Sequence, residues 1–273
     1  MSTPRLADPV ALARNRARAR EADMFLHDSA LDEVEARLSL VNRTFTKPLI
    51  VGPVAEKWAD RLGMTNAKAI PDGDVLDVTP GAHDVVIHAM GLHWASDPVG
   101  QLVQCRRALG PDGLLLACLF GGQTLHQLRT ALAEAETEIS GGLSPRIAPM
   151  AEIRDLGAVL QRAGFALPVA DCDRLTVTYQ SAFHLMRDLR AMGEGNALYH
   201  RVRYPTRRSV FARAADIYST HHGMDDGRIP ATFEIIHLSG WVPHDSQQQP
   251  LRPGSATHRL AQALGADETP LKD

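Results

Sequence analysis

Cysteine, long hydrophobic runs and excess charge are all scarce in this chain of 273 residues. The three cysteines stand far apart and form no C-x-x-C pair, so neither a disulfide framework nor a structural zinc site is predicted. Apolar runs such as Leu114–Phe120 are far shorter than the roughly 20 residues of a membrane-spanning helix. A net charge of -3 supplies no basic field for nucleic acid. What remains is an ordinary globular composition, with 44% hydrophobic and 22% charged residues.

The N-terminal region lacks the apolar core of a secretory signal but is rich in arginine. An arginine stands at every second position from Arg14 to Arg20, and mitochondrial presequences are rich in arginine. However, Asp8, Glu21 and Asp23 interrupt this region, and such presequences are poor in acidic residues. Because the scarce cysteines also fit a reducing compartment, we predict a cytoplasmic protein.

Apolar, strand-like runs alternate with helix-like segments through the middle of the chain. Pro48–Gly52, His83–Met90 and Leu114–Phe120 are short apolar runs, and the last is continuous, as expected of a strand buried on both faces. A helix is predicted at Pro98–Leu109, followed by a turn at Gly110–Gly113. This alternation predicts an α/β protein whose doubly wound, mostly parallel sheet has right-handed crossovers.

Helices are also predicted outside this alternation, at both ends of the α/β region. Pro9–Met24 and Ala30–Val41 precede it, whereas Ala182–Met192 and Arg207–Thr220 are extra helices before a last strand at Ala231–Val242. The end of the chain is rich in Gln and Pro and is expected to be loosely ordered. The predicted boundaries are 1–45 for an N-terminal helical segment, 46–242 for the α/β domain with a helical insert at about 181–220, and 243–273 for the tail.

Several blocks of sequence, in order along nearly the whole chain, carry a resemblance to a known family. They are Leu92-His-Trp-Ala-Ser-Asp-Pro98, Leu109-Gly-Pro-Asp-Gly-Leu-Leu-Leu116, Phe120-Gly-Gly-Gln-Thr-Leu-His-Gln-Leu-Arg129, Gly141-Gly-Leu-Ser-Pro-Arg-Ile-Ala-Pro149, Asp155-Leu-Gly157, Arg162-Ala-Gly-Phe165, Met192-Gly-Glu-Gly-Asn196, Pro230-Ala-Thr-Phe-Glu234, Gly240-Trp241 and Gly254-Ser-Ala256. The first two blocks resemble those of class I S-adenosylmethionine methyltransferases. Together the blocks more closely resemble the methyltransferase-like assembly factor of respiratory complex I and its bacterial relatives.

This resemblance implies a Rossmann-like class I methyltransferase fold, an S-adenosylmethionine site and a complex I subunit as partner. The mitochondrial member of the family is associated with hydroxylating an arginine on a complex I subunit that carries an iron–sulfur cluster. A more distant resemblance, to malonyl-carrier-protein methyltransferases of biotin synthesis, implies instead a small carrier-bound carboxylate as substrate.

The cofactor half of the chain departs from the family pattern. The family's first strand ends in an acid-x-Gly-x-Gly-x-Gly loop, whose glycines let the backbone approach the cofactor. Here Ile50 stands at the acid, Gly52 at the first glycine, and Val54 and Glu56 at the other two. Pro53 removes a further N–H donor. We therefore interpret this loop as a degenerate glycine motif.

A second departure follows Leu62, where the chain is short of the family's second strand and helix. Our preferred interpretation is a deletion of both, which aligns Asp72 with the acid that faces adenine in the family. In the alternative, Ala67–Ile70 is the second strand, and Asp72 or Asp74 stands near the ribose site.

Candidate site residues follow the predicted strands, because ligands of doubly wound sheets bind at the carboxyl ends of strands. The resemblance implies these candidates for cofactor binding: Gly52, Asp72, Met90, Leu92, His93 and Trp94. It implies these candidates for contact with a substrate or partner: Gln123, His126, Ser144, Arg146, Glu194, Asn196 and Glu234.

Each candidate also has an ordinary structural explanation. Gly52 is equally explained as a turn that ends a strand, and Trp94 as packing beneath a loop. The segment around Ser144 is either a lid or a plain surface loop. Glu194 and Glu234 are otherwise solvated or capping groups.

Metal chemistry receives no support from the histidines. None of the 12 is followed at the second position by Asp or Glu, a spacing that often signals a 2-His-1-carboxylate iron site. We therefore expect no metal, and S-adenosylmethionine is the one cofactor considered. The main hypothesis is a protein that acts on or binds a protein partner and has an eroded cofactor site. The alternative is an active methyltransferase for a protein side chain or a carrier-bound carboxylate.

Overall fold

The computed structural model describes residues 4–248. Residues 4–243 belong to one compact unit. The second unit begins at His244, and its described part is a turn in which the N–H of Gln247 donates to the carbonyl of His244 (3.1 Å). The block Gly254-Ser-Ala256 and most of the predicted tail, 243–273, lie outside the described residues.

Helices and strands alternate as the apolar pattern predicts. The helices are α1 Pro9–Arg16, α2 Phe25–Leu40, α3 Ala55–Arg61, α4 Pro98–Ala108, α5 His126–Ser140, α6 Ile153–Arg162, α7 Ala182–Ala191 and α8 Arg208–His222. The strands are β1 Pro48–Val51, β2 Lys68–Ile70, β3 His83–Ala89, β4 Leu109–Phe120, β5 Ala166–Tyr179 and β6 Ile229–Trp241.

The strands form one six-stranded sheet in the order β2-β1-β3-β4-β6-β5. β2, β1, β3 and β4 are parallel, whereas β6 runs antiparallel to both β4 and β5. Helices cover both faces, since one hydrophobic cluster joins the sheet to α2, α5, α7 and α8 and another joins it to α4 and α6. The doubly wound, Rossmann-like α/β fold is confirmed.

The preferred interpretation of the segment after α3 is wrong, because the second strand is present. β2 pairs in parallel with β1, with Ala69 opposite Ile50. The alternative interpretation, a second strand over Ala67–Ile70, agrees with the structure except at its first residue. A strand of three residues is too short for apolar periodicity alone to decide between the two. What is shortened is the next stretch: residues 71–82 return to β3 without a helix. Relative to a doubly wound sheet of order 3-2-1-4-5-6, the outermost position beyond β2 is empty among the described residues.

Residues 71–82 are held against α4 by two glutamine side chains. Gln101 donates to the carbonyl of Gly73 (2.7 Å). Gln104 donates to the carbonyl of Asp74 (2.9 Å) and accepts from the N–H of Leu76 (2.8 Å). These bonds satisfy backbone groups that a helix would otherwise satisfy internally.

Two further predictions need correction. The single helix expected over Pro9–Met24 ends at Arg16, and a link of residues 17–24 replaces its second half before α2 begins at Phe25. Asp8 explains the sharp start of α1, because its carboxylate accepts from the first free N–H groups of the helix. The turn expected at Gly110–Gly113 is instead a bulge within β4, where its register with β3 shifts.

Candidate functional site

Gly52 lies where β1 ends and packs directly against β3. A Cβ atom at this position would be 2.3 Å from the carbonyl oxygen of Ala89, so any larger residue would push the strands apart. The N–H of Gly52 donates to the carbonyl of Ile70 at the end of β2 (3.0 Å). Both observations give Gly52 a role in strand packing.

Asp72, just beyond β2, is buried against an arginine of the N-terminal helix. The Arg16 guanidinium donates to both carboxylate oxygens of Asp72, over 2.7 and 3.0 Å. The Asp72 carboxylate also lies against Gly91, where a Cβ would be 2.6 Å from its Oδ2. The sequence-predicted acid is therefore at the carboxyl edge of the sheet, and it is already engaged in a bidentate ion pair.

The segment after β3 is buried and leads to a second carboxylate. Met90 adopts a positive φ of 52° and Leu92 is 1% exposed. Trp94 donates its indole N–H to Glu194 Oε2 over 2.9 Å, and His93 Nε2 lies 3.3 Å from the same oxygen. Burial acts to raise the pKa of Glu194, but His93, Trp94 and Arg16 outweigh it and hold that pKa below its ordinary value. Glu194 is thus an ionised carboxylate at neutral pH.

Helix α1 and the loop after α7 lie together over this edge. Asn15 donates to the carbonyl of Gly195 (2.9 Å), and the N–H of Asp8 donates to the carbonyl of Ala197 (2.8 Å). Trp94 shares a small apolar cluster with Ala11 of α1 and with Ala197. The N-terminal helix is therefore part of the site.

Several buried polar atoms around this cluster have no hydrogen-bond partner among the described residues. They include Arg16 Nε, His93 Nδ1 and both ring nitrogens of His27. The His27 ring packs edge-on to Trp58, with centroids 6.3 Å apart. Burial lowers the pKa of His27 to about 4, so its ring is neutral at pH 7. Buried polar groups without a partner are rare in folded proteins, so these atoms mark a place where a further polar group could bind.

A pocket of about 310 Å³ opens beside this cluster, beneath the helices that precede β6. Trp94, Phe120 and Phe233 form aromatic lining, and Phe211 of α8 joins them. Leucines and methionines supply other apolar walls: Leu125, Leu128, Leu132, Met150, Met186 and Leu189. Glu194 is the acidic residue of this lining, while its basic residues are Arg18, Arg146 and Arg190.

Arg146 fixes the loop at the pocket wall. It donates to both oxygens of the buried Glu136 carboxylate, over 2.6 and 3.1 Å, and to the Thr206 hydroxyl over 3.1 Å. Its guanidinium lies 5.8 Å from the centroid of the Phe211 ring. Ser144 donates to the same Glu136 through both its N–H and its hydroxyl. Burial tends to raise the pKa of Glu136, but Arg146 and Ser144 hold it below its ordinary value.

The structure divides the predicted partner residues among different places. Arg146, Glu194 and Asn196 line the pocket together with Trp94. Gln123 and Glu234 line another cleft, in which Glu234 accepts from the N–H of Gln123 (2.9 Å) and from Arg174 (2.8 Å). The explanation of Glu194 and Glu234 as solvated groups is wrong, because both side chains are largely buried and accept hydrogen bonds from other residues.

His126 lies apart from both groups. It is the first residue of α5, and its ring faces that of His222 on α8, with centroids 6.5 Å apart. It is among neither the pocket-lining nor the cleft-lining residues. Asn196 donates to the carbonyl of Pro145 (2.8 Å), so it joins two loops at the pocket.

Arg16, Arg18 and Arg190 belong to the site but were missed from the sequence. Arg16 and Arg18 lie in the arginine-rich stretch of the helix predicted over Pro9–Met24, and nothing in its spacing reveals that Arg16 turns inward. Arg190 is an ordinary basic residue in the last turn of a helix. The pairing with Asp72 depends on a contact between residues 56 positions apart, which local patterns do not encode.

A thiol, an imidazole and a carboxylate meet elsewhere, on β4, β6 and β5. Cys118 Sγ lies 3.3 Å from His237 Nδ1, and His237 Nε2 lies 3.3 Å from an oxygen of Asp173. Burial raises the pKa of the Cys118 thiol far above neutrality, so it is no nucleophile. Among residues 4–248, no cluster of three or more His, Cys, Asp or Glu side chains could hold a metal ion. Within the same range, none of the helices has the length and apolar character of a membrane span.

Relatives of the chain are found among curated sequences and among solved structures. No family model matches the chain. The mitochondrial arginine-hydroxylase NDUFAF5 of Danio rerio is 40% identical over 261 residues, which cover 87% of this chain and 81% of the relative. That of Dictyostelium discoideum is 43% identical over 183 residues, but this match spans only 42% of its length.

More distant matches are methyltransferases. The malonyl-[acyl-carrier protein] O-methyltransferase of Laribacter hongkongensis is 34% identical over 227 residues, 83% of this chain and 72% of the relative. A solved structure assigned as a methyltransferase, from Bacillus halodurans C-125, superposes with a TM-score of 0.52 at 13% identity, covering 79% of this chain and all of the other. The sequence resemblance is confirmed: the chain has the class I methyltransferase fold and belongs to the family of the mitochondrial arginine-hydroxylase NDUFAF5.

Proposed function

We propose that this protein binds an arginine side chain of a respiratory complex I subunit in the pocket beside Glu194, and that its S-adenosylmethionine site is eroded. The observation that carries the proposal is the contrast between two neighbouring regions of one sheet edge. Where the family would hold its cofactor, Asp72 is paired with Arg16. Where a partner would enter, a pocket remains with an ionised carboxylate in its lining.

The residues of the cofactor edge do not fit S-adenosylmethionine in the family's manner. Ile50 stands at the position of the family's acid and is fully buried in the sheet. The N–H of Gly52, which a degenerate loop would still offer, is bonded to Ile70. Asp72 would have to exchange a bidentate guanidinium for a cofactor hydroxyl or amine. We therefore assign no chemical step to this cofactor.

The pocket supports recognition of a cationic side chain. One oxygen of Glu194 accepts from Trp94, and the carboxylate also lines the pocket. Aromatic faces attract cations, and Trp94, Phe120 and Phe233 supply such faces beside the carboxylate. A guanidinium combines a positive charge with flat faces that suit both contacts. The NDUFAF5 relatives are arginine-hydroxylases, and this supplies the choice of arginine.

An active methyltransferase remains the second candidate. The unpartnered Arg16 Nε and His93 Nδ1 are buried polar atoms that a small molecule could satisfy. The match to malonyl-carrier-protein methyltransferases favours a carrier-bound carboxylate as its substrate. A protein side chain is the other substrate class for such an enzyme.

Two measurements on the full chain test these candidates. The first is calorimetry with S-adenosylmethionine, supported by thermal melts. A ligand at a hundred times its dissociation constant stabilises by about 2.7 kcal/mol, which for a domain of this size shifts the melt by several degrees. We expect no heat and no shift at millimolar cofactor. Clear one-to-one binding would overturn the eroded-site proposal and favour the methyltransferase.

The second measurement is binding of a short peptide with one central arginine, compared with its central-glutamine counterpart. We expect the arginine peptide to bind more tightly to the wild type, and Glu194→Gln to abolish that preference. Equal binding of the two peptides would contradict the proposed pocket. Capture of complex I subunits by the wild type but not by Glu194→Gln would then identify the partner.

We further propose a cytoplasmic location, in line with the reduced state of the cysteines. Cys105, Cys118 and Cys172 are all free thiols in the structure. The NDUFAF5 relatives are mitochondrial, so the proposal is tested by fractionating the native cell and locating the full-length protein.

A further inference from the structure

Three chain segments meet at the mouth of the pocket, and each brings an arginine. The link after α1 contributes Arg18, the end of α7 contributes Arg190, and the loop before α6 contributes Arg146. The segments are tied together, since the N–H of Arg20 donates to the carbonyl of Ala191 (2.8 Å) and Asn196 joins the loop at Pro145. The arginines therefore frame one opening.

Two of these arginines have no counter-ion in the part of the chain that the structure describes. Arg146 is neutralised by Glu136. The guanidinium groups of Arg18 and Arg190 make no ion pair or hydrogen bond within residues 4–248, and both residues are exposed. The opening therefore carries two positive charges that are free to meet a ligand.

The lining carries the opposite charge. Glu194 has a side chain only 10% exposed, and it is held by Trp94 and His93. The site is therefore negative among its buried aromatic residues and positive at its opening. A complementary ligand would place a cationic group in the pocket beside Glu194 and anionic groups at the opening beside the two arginines.

We propose that Arg18 and Arg190 select acidic residues on either side of the inserted side chain, so that the partner is an acidic segment of a protein. This inference rests on the proposed function and adds the chemistry of the flanking sequence. A free phosphate or a nucleic acid would meet the two arginines but would offer no cation to Glu194. A purely basic segment would suit Glu194 but would be repelled at the opening.

The test uses four nonapeptides with an uncharged fluorescent label at the N-terminus and an amidated C-terminus, and it measures their affinity for the full chain by fluorescence anisotropy. The central residue is arginine or glutamine, and the residues two before and two after it are aspartate or asparagine. We expect aspartate flanks to tighten binding of the arginine peptide about tenfold at low salt. We expect this advantage to shrink at high salt, because exposed charges are screened.

The variants are the double substitution Arg18→Gln and Arg190→Gln, and the matched control Arg14→Gln. Arg14 is an exposed arginine of α1 outside the pocket lining. We expect the double variant to bind both arginine peptides equally while still preferring arginine to glutamine at the centre. The control should keep the full preference for aspartate.

The outcomes separate this inference from the proposed function. If the central arginine is preferred but the flanks make no difference, the acidic-segment inference is wrong and the proposed function stands. If inorganic phosphate or an oligonucleotide competes as well as the aspartate peptide, the opening is a general anion site and the inference is also wrong. If no peptide binds at millimolar concentration, both are overturned.

Discussion

Glu136 shows how much one buried carboxylate can organise. It holds Arg146 and Ser144, and its pKa lies below the ordinary value because these partners outweigh its burial. A lowered folded-state pKa stabilises the protein above the unfolded-state pKa, and this stabilisation is lost as the pH falls through the folded-state value. The loop that walls the pocket therefore depends on pH through this residue.

For Glu136→Gln we predict a loss of about 2 kcal/mol of unfolding free energy at pH 7, because hydrogen bonds to a charged group are broken. The loss should begin to shrink below about pH 4.3, the ordinary pKa of glutamate, where the unfolded chain takes up a proton. It should fall further as the pH drops through the lowered folded-state pKa. Urea unfolding at pH 7 and at about pH 3 measures both losses. Glu138→Gln removes an exposed ion pair from the same helix and should change stability far less. Equal losses at both pH values would contradict the assigned role.

Gly52 is a glycine required by close packing. We predict that Gly52→Ala costs about 1–3 kcal/mol of unfolding free energy, because the new Cβ overlaps the carbonyl of Ala89. Thermal and urea unfolding check this value. The matched control is Gly142→Ala, where no heavy atom lies within 4 Å of the added Cβ. An unchanged melt for Gly52→Ala would mean that the strands can separate at no cost.

At the scale of elements, α1 is docked by a few long-range polar contacts. They include the bidentate pair of Arg16 with Asp72 and the bond from Asn15 to Gly195. Short helices are unstable alone, so α1 depends on such tertiary contacts. We therefore expect α1 to open locally while the sheet stays folded.

We predict that Arg16→Ala lowers hydrogen-exchange protection of residues 9–16 by about tenfold, because loss of a charged hydrogen-bond pair favours local opening. Protection of β3 and β4 should stay unchanged. Mass spectrometry of exchanged peptides measures both regions. Arg14→Ala removes an exposed arginine from the same helix and should leave protection unaltered. An equal effect of the two substitutions would argue against the ion pair as the anchor.

Elements with strong local patterns were predictable from the sequence, and those defined by distant contacts were not. Leu114–Phe120 is a continuous apolar run and forms the buried part of β4. Lys68–Ile70 is a strand only because β1 offers it a parallel partner. The turn residues Gly110–Gly113 permit both a turn and a bulge, and the register with β3 decides between them. Part of the candidate site was found because it follows strand ends, whereas Arg16 and Arg190 had no local signal.

At the scale of the whole molecule, buried histidines make stability depend on pH. His27 is neutral when folded, with a pKa lowered to about 4 by burial. Below about pH 6.5 the unfolded chain gains a proton at this residue, while the folded chain does not until about pH 4. The contribution of His27 to stability is therefore fully present above its unfolded-state pKa and is lost as the pH falls from about 6.5 to about 4.

We predict that His27→Phe reduces the loss of unfolding free energy between pH 6.5 and pH 4 by up to about 3 kcal/mol, because phenylalanine takes up no proton. Part of the slope will remain, since burial also lowers the pKa values of His88 and His237. Denaturant unfolding between pH 7 and pH 4 measures the slope. His200→Phe, at an exposed position, should leave the slope as it is. Identical slopes in both variants would refute the assignment to His27.

The helices that cover the pocket enter and leave the sheet at one point. β5 ends at Tyr179, which is paired with Ile229 at the start of β6, and residues 180–228 lie between them. In topological terms, residues 180–228 are an insertion into the hairpin of β5 and β6, and the two ends of the insertion are neighbours in the sheet. Evolution can therefore replace or resize this insertion without altering the order of the strands, because insertions are tolerated in loops whose ends lie close together. A single inherited sheet can in this way acquire new partners by exchanging one contiguous stretch of chain.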